Sequence, residues 1–208
     1  MNTCERITEA ALELFSRNGY NGTSVRQIAE AVGIKDASLY KHFKSKQEIL
    51  GSIVELIKGH ISELSERMQL PGDASGEGDE EFYGRIDTAY LKKLTKDAFL
   101  FYLTDPYISR FWRLAHIEQY GNEEICRLFR QIFIEDALAY LTGLFESMSA
   151  RGLISAADPE ATAMSYYAPF FLLLTKYGDQ QEKTGEALAL LDVQTDEFLR
   201  LYQRKGER

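Results

Sequence analysis

At 208 residues and 45% hydrophobic content, the chain can bury a core without covalent staples. Its two cysteines, Cys4 and Cys126, stand far apart in no CxxC or Cys/His spacing; this argues against a disulfide framework or a zinc site and fits a reducing compartment. A net charge of −8 counts against nucleic acid as a sum, but its distribution does not. Residues 1–50 hold seven Lys/Arg against six Asp/Glu, a net of +1, which leaves −9 for residues 51–208. From Thr23 to Lys46 there are five basic residues and two acids.

Apolar residues recur at helical spacing almost throughout, with four prolines and hardly any alternating β-branched runs, so the expected fold is all-α, with about nine helices. Ile7, Ala10, Ala11, Leu14 and Phe15 form the stripe of a first helix, stopped by Gly19. Ser24 and Gln27 make an S-x-x-Q capping pattern for a short second helix carrying Val25, Ile28, Ala29 and Val32 and ending at Gly33. A third short helix is expected over Asp36 to Phe43, and a longer one from Lys46 to Pro71-Gly72. The stretch PGDASGEGDEE that begins there has nothing to bury and is expected to be a loop. Further helices are expected over about Glu80 to Leu103, Pro106 to Gln119, Asn122 to Arg151, Asp158 to Tyr177 with a kink at Pro169, and Glu182 to Arg204.

Two short helices joined at a glycine turn, with small Ala29 and Gly33 at the close approach, make a helix-turn-helix whose second helix can enter the roughly 12 Å wide major groove. Leu39 and Phe43 share one face and anchor it inward; Ala37, Ser38 and Lys41, with parts of Tyr40 and His42, face outward. Arg26 can pair with Glu30 at i+4. Lys44 reads as plain solvated charge.

The stretch GTSVRQIAEAVGIKDASLYKHFKSKQEIL, with AALELFSRNGY before it, resembles the DNA-binding domain of the TetR/AcrR family of bacterial transcriptional regulators over about residues 5–50. The resemblance implies an N-terminal DNA-binding domain, residues 1–47, and a ligand-binding and dimerisation domain, residues 48–208. Ser24 would cap the second helix and touch a phosphate, and Arg26 would reach a base. Tyr40 and His42 would be ring contacts to phosphates and Lys46 a phosphate clamp. Asp36, Ala37, Ser38 and Lys41 fall where base or backbone contacts vary between members, and Lys35 can neutralise phosphate. Many members carry a small hydroxyl residue where this chain has Lys35 followed by Asp36, so Asp36 is expected to take over as helix cap, with a contact to a cytosine amino group as the alternative.

One recognition helix offers few base contacts, so two copies on a palindromic double-stranded operator are expected, with helices roughly 34 Å apart. The homodimer seam is expected on Ala161, Met164, Ala168 and Phe171 and on Leu188, Leu191, Thr195, Phe198 and Tyr202. In the family the larger domain encloses a small-molecule pocket; here Phe101, Tyr102, Phe111, Trp112, His116, Tyr120, Phe133, Tyr167 and Phe170 are the candidates to line it for an apolar or aromatic effector. Glu118 among these rings could select a cation, but at its helical spacing it reads as solvated. No GxSxG, HExxH or paired-carboxylate set occurs, so neither catalysis nor a cofactor or metal is expected. The longest apolar run, Ala168 to Leu174, is far shorter than the roughly 20 residues that span a bilayer, and no signal segment opens the chain, so a cytoplasmic protein is expected. The expected function is that of a ligand-responsive repressor; the alternative is an all-helical small-molecule or lipid-binding protein, or an enzyme, using the helix-turn-helix only for packing.

Overall fold

The structure, a computed structural model, describes residues 2–68 and 87–202. Among these there is no β-strand, and the helices are α1 (Thr3–Asn18), α2 (Val25–Val32), α3 (Asp36–Leu39), α4 (Lys46–Arg67), α5 (Thr88–Thr104), α6 (Pro106–Glu118), α7 (Glu123–Arg130), α8 (Asp136–Ala150), α9 (Pro159–Tyr177) and α10 (Thr184–Tyr202). A π-helical turn, Gln131–Glu135, follows α7 directly in the chain and leads into α8. The loop expected at PGDASGEGDEE, and the start of the helix expected from Glu80, lie outside the described residues. No helix among the described residues is long and apolar enough to cross a membrane.

The chain divides into two compact units. The first comprises residues 1–63 and 106–129, the second residues 64–105 and 130–208. The segment expected to bind DNA, residues 1–47, lies wholly within the first unit, which also takes in most of α4, all of α6 and most of α7.

In the first unit α1 is covered by both α2 and α6. That explains why Leu12 is as fully buried as Ile7, Ala11 and Phe15, although only one stripe is legible in the sequence. Asn2 caps α1, accepting the Glu5 N–H at 3.0 Å while the Glu5 carboxylate accepts the Asn2 N–H at 2.8 Å. Ser24 and Gln27 form the same reciprocal pair at α2, and Gly33 closes α2 at φ +77°, the left-handed conformation in which a side chain would be strained. α3 is shorter than expected: beyond Leu39 the i to i+4 ladder gives way to i to i+3 bonds such as His42 N–H to Leu39 O at 2.9 Å. At the start of α4, Ser45 Oγ accepts the Glu48 N–H at 3.1 Å and the Glu48 carboxylate accepts the Lys44 N–H at 2.5 Å, and the helix buries Ile49, Leu50, Ile53 and Ile57.

In the second unit α9 packs against α8, α10 and α5. Asp158 caps it, accepting the Ala161 N–H at 3.0 Å, with Pro159 in the first turn, and the helix continues through Pro169.

Candidate nucleic-acid interface and effector cavity

The two short helices α2 and α3 pack together, with Ile28, Ala29, Val32, Leu39 and Phe43 buried between them and the rest of the unit. The anchors expected at Leu39 and Phe43 are therefore inside. Lys35, Asp36, Ala37, Lys41, His42 and Lys44 are exposed, Ser38 is half-buried, and Tyr40 shows 52% of its surface, unusual for a ring with no partner among the described residues. The result is a short convex element with an apolar underside and a top carrying basic groups and a phenol.

Four positions differ from the sequence reading or refine it. Asp36 is the first residue of α3 rather than its cap; the cap position is Lys35, whose side chain makes no cap hydrogen bond, and its carbonyl takes the Ser38 and Leu39 N–H groups at 2.8 and 3.2 Å. Arg26 pairs with Glu30 at 3.0 Å, one of its two expected roles. The Glu30 hydrogen bond, then the Glu30 charge, then that of Asp36 hold the guanidinium pKa above its ordinary value. His42 Nδ1 lies 3.4 Å from Cys4 Sγ, which fixes the ring beside the start of α1. Lys46 is half-buried rather than free: its ammonium donates to Tyr20 O at 2.8 Å and Thr23 O at 3.0 Å and sits 4.3 Å from the Tyr20 ring centre.

Tyr20 thereby becomes a junction. Its ring meets Phe15 edge-on at 5.2 Å, and its hydroxyl donates to Gln47 Oε1 at 3.0 Å. Its N–H donates to Glu118 Oε1 at 2.7 Å. Burial, then the charges of Glu124 and Glu118, push the phenol pKa up. Glu118, expected on a solvated face, is 6% exposed. Nothing in its helical spacing signalled this, because its partner lies 98 positions away.

The ring candidates for an effector pocket fall into two groups. Phe111, Trp112, His116 and Tyr120 belong to the first unit, where Trp112, His116 and Phe129 pack at 4.5 to 5.5 Å between ring centres. Tyr120 is 96% exposed and lines nothing. Phe101, Tyr102, Phe133, Tyr167 and Phe170 belong to the second unit and form one contiguous cluster, with centre distances of 5.3 to 6.1 Å. The Tyr167 hydroxyl donates to Phe133 O, in the π turn, at 2.7 Å. This cluster is packed core.

A cavity of about 620 Å³ in the second unit is bounded instead by Leu64, Arg67, Met68, Tyr90, Lys93, Leu94, Asp97, Leu100, Phe101, Thr104 and Asp105. Only Phe101 of the expected set reaches it. Leu64, Leu94 and Phe101 are its buried apolar wall, and Lys93 pairs with Asp97 at 3.2 Å beside it.

The buried phenols of this unit predict its alkaline limit. Burial raises the Tyr166 pKa to about 12 against the opposing hydrogen bonds to Thr95 and Thr195, and burial followed by the neighbouring Tyr102 raises that of Tyr167. In the unfolded chain both ionise near pH 10. Their stabilisation is therefore complete below about pH 10 and is lost as pH climbs towards about 12. Ionisation of Tyr166 and Tyr167, followed by their own ring resonances, should accompany loss of helical circular dichroism in that window; ionisation of either of these two phenols near pH 10 in an intact fold would contradict the assignment.

On the apolar surface of the second unit, Ala161, Met164 and Ala168 of α9 are exposed and Phe171 is half-buried. On α10 the register differs. Leu191, Thr195 and Phe198 are buried inside the unit, Leu188 and Tyr202 are half-buried, and the exposed apolar residues are Leu190, Val193 and Leu201. One residue along a helix is a rotation of about 100°, and the inner stripe is the one legible in the sequence.

Residues 7–53 match the model of the bacterial regulatory proteins of the TetR family. The chain is 40% identical over 73 residues to the HTH-type transcriptional regulator AcrR of Shigella flexneri, a segment that covers 34% of each chain. It is 40% identical over 60 residues to IcaR of Staphylococcus aureus strain Newman, the negative transcriptional regulator of the biofilm operon icaADBC; that segment covers 29% of this chain and 32% of IcaR. The match thus spans about a third of the length of these curated relatives. Over nearly the whole length the fold resembles SmeT, the repressor of a Stenotrophomonas maltophilia multidrug efflux pump: its triclosan complex gives a TM-score of 0.67 at 21% identity, covering 98% of this chain and 93% of that one. Residues 7–53 thus carry a helix-turn-helix of the TetR type, and the all-helical fold around it is the one found in solved TetR-family regulators.

Proposed function

We propose that the chain is a ligand-responsive transcriptional repressor that binds a palindromic operator as a homodimer. The observation that carries this reading is the exposed set on a buried anchor: Lys35, Ala37, Tyr40, Lys41 and His42, with half-buried Ser38, lie on and beside α3, while Leu39 and Phe43 fasten it underneath. The basic groups supply phosphate affinity, and the α3 side chains supply base reading in the major groove. Ser24 and Arg26, exposed at the start of α2, extend the same contact, and exposed Asp36 offers an acceptor for a cytosine amino group. Lys46 holds the turn behind the interface. The −9 carried by residues 51–208 keeps the larger part of the chain off DNA.

A dimer brings two such elements to successive grooves. Met164, Ala168 and Leu172 of α9 and Leu190, Val193 and Leu201 of α10 recur at helical spacing, and Met164, Leu172, Val193 and Leu201 are each 56% to 68% exposed, so a second copy has an apolar surface to cover. Leu172→Glu with Val193→Glu should give a folded monomer by sedimentation with its melting temperature nearly unchanged. Phe198→Ala, which empties a buried site instead, should cost roughly 3–5 kcal/mol of stability. A dimer that survives the double glutamate variant would exclude this seam.

The 620 Å³ cavity falls within the range of small-molecule sites, and its apolar wall with a few polar groups suits an effector that prefers one state of the dimer and shifts operator affinity by that preference. A mobility-shift assay with the DNA upstream of the gene tests the whole reading. Salt-sensitive, sequence-specific binding is expected, and binding no stronger than to unrelated DNA would return the chain to the class of all-helical small-molecule binders.

A further inference from the structure

Glu118 closes α6, where the helix carbonyls already present negative partial charge, and it is buried. A carboxylate there gains little stability, since an apolar side chain of similar volume would avoid its desolvation. What an apolar side chain could not do is take the Tyr20 N–H, which Glu118 Oε1 accepts at 2.7 Å. The turn is shaped to admit it: a Cβ on Gly19, whose φ is +76°, would stand 2.8 Å from the same oxygen. Tyr20, held by its N–H, presents its own carbonyl and ring to Lys46. A second thread runs beside it, from the Tyr20 hydroxyl to Gln47 and from the Gln47 amide to Glu124 in the first turn of α7. All of these residues lie in the first unit. The same turn leads directly into Ser24, the cap of α2, and α2 carries α3.

We propose that Glu118 is a positioning residue for operator binding: by holding the Tyr20 amide it fixes the α1–α2 turn and the first turn of α4, and so the setting of Ser24, Lys46 and α3. This rests on the operator-binding reading above. Its contribution is the geometry of one acceptor atom rather than a charge presented to DNA.

The test uses the full chain and a duplex of the gene's upstream DNA, at a temperature where circular dichroism shows every variant folded. Glu118→Gln keeps an acceptor at the same reach and should bind within about twofold of the parent, whereas Glu118→Asp keeps the charge but withdraws the acceptor by a methylene and should lose about tenfold. Glu118→Ala should lose at least as much if it folds; if it does not, the Gln and Asp pair decides. Hydrogen exchange supplies a readout that needs no DNA: the Tyr20 amide should exchange about tenfold faster or more in Glu118→Asp and stay protected in Glu118→Gln. A folded Glu118→Asp that binds as the parent does, or a Glu118→Gln that loses as much as Asp, overturns the proposal. If the parent itself shows no specific binding, the operator reading falls and this inference with it, an outcome distinct from a binding parent with an indifferent Glu118.

Discussion

Tyr40→Ala combined with Lys41→Ala is expected to weaken operator binding by about a hundredfold while leaving the thermal transition where it is. Both side chains are exposed and neither has a partner among the described residues, so truncating them removes nothing that holds the fold. Each contact of this kind contributes roughly 1–3 kcal/mol to a protein–DNA complex. Losing the lysine should also lower the slope of log affinity against log salt by about one per half-site, whereas losing the phenol should not. Lys46 is the wrong residue for this experiment despite its expected role as a phosphate clamp. Its ammonium satisfies the carbonyls of Tyr20 and Thr23, so Lys46→Ala would confound lost binding with a loosened turn. Anisotropy titration at several salt concentrations checks the pair, and a double variant that binds within a few-fold of the parent would move the interface away from α3.

Gly22→Ala is expected to cost about 3 kcal/mol and to melt the DNA-binding helices first. A Cβ built at Gly22 stands 2.2 Å from Asn18 O, a backbone atom that cannot swing aside, so α1 and the α1–α2 turn must separate. Gly33 makes the useful contrast. Its φ of +77° strains an alanine, but no atom lies within 4 Å of the new Cβ, and roughly 1–2 kcal/mol is the expected cost. Denaturant titration of the two variants should therefore rank Gly22→Ala well below Gly33→Ala. The reverse order would mean that the turn yields where the geometry says it cannot.

The elements legible in the sequence are those whose signals are local. Ser24 with Gln27, Asp158 with Pro159, and Gly33 announce helix ends because a cap and its target amide lie within four residues. Leu39 and Phe43 announce the underside of the recognition element by their i, i+4 spacing. What the sequence hides is set by distant chain. α6 packs on α1, so Leu12 is buried and Glu118 reaches Tyr20, and neither periodicity nor composition carries that information. Asp36 misled because an acidic residue before a short apolar run suits both a cap and a first helical position; the chain uses it as the latter. On α10, Leu191 and Phe198 form the stronger stripe because they serve the unit's own core, which leaves the weaker stripe of Leu190, Val193 and Leu201 outside. The aromatic runs did not reveal how their rings would meet: Tyr102, Phe133, Tyr167 and Phe170 pack together at centre distances near 5 to 6 Å, which only the tertiary fold decides.

If two copies of this chain read a symmetric DNA site through the exposed face around α3, the purified full chain should select its own operator from a random-sequence pool of duplexes. Enrichment of an inverted repeat with half-sites about one helical turn apart is expected, and it should be lost when the pool is presented to the Tyr40→Ala, Lys41→Ala variant. A pool that stays random after selection, or one that converges on a single asymmetric half-site, would contradict symmetric reading by a dimer.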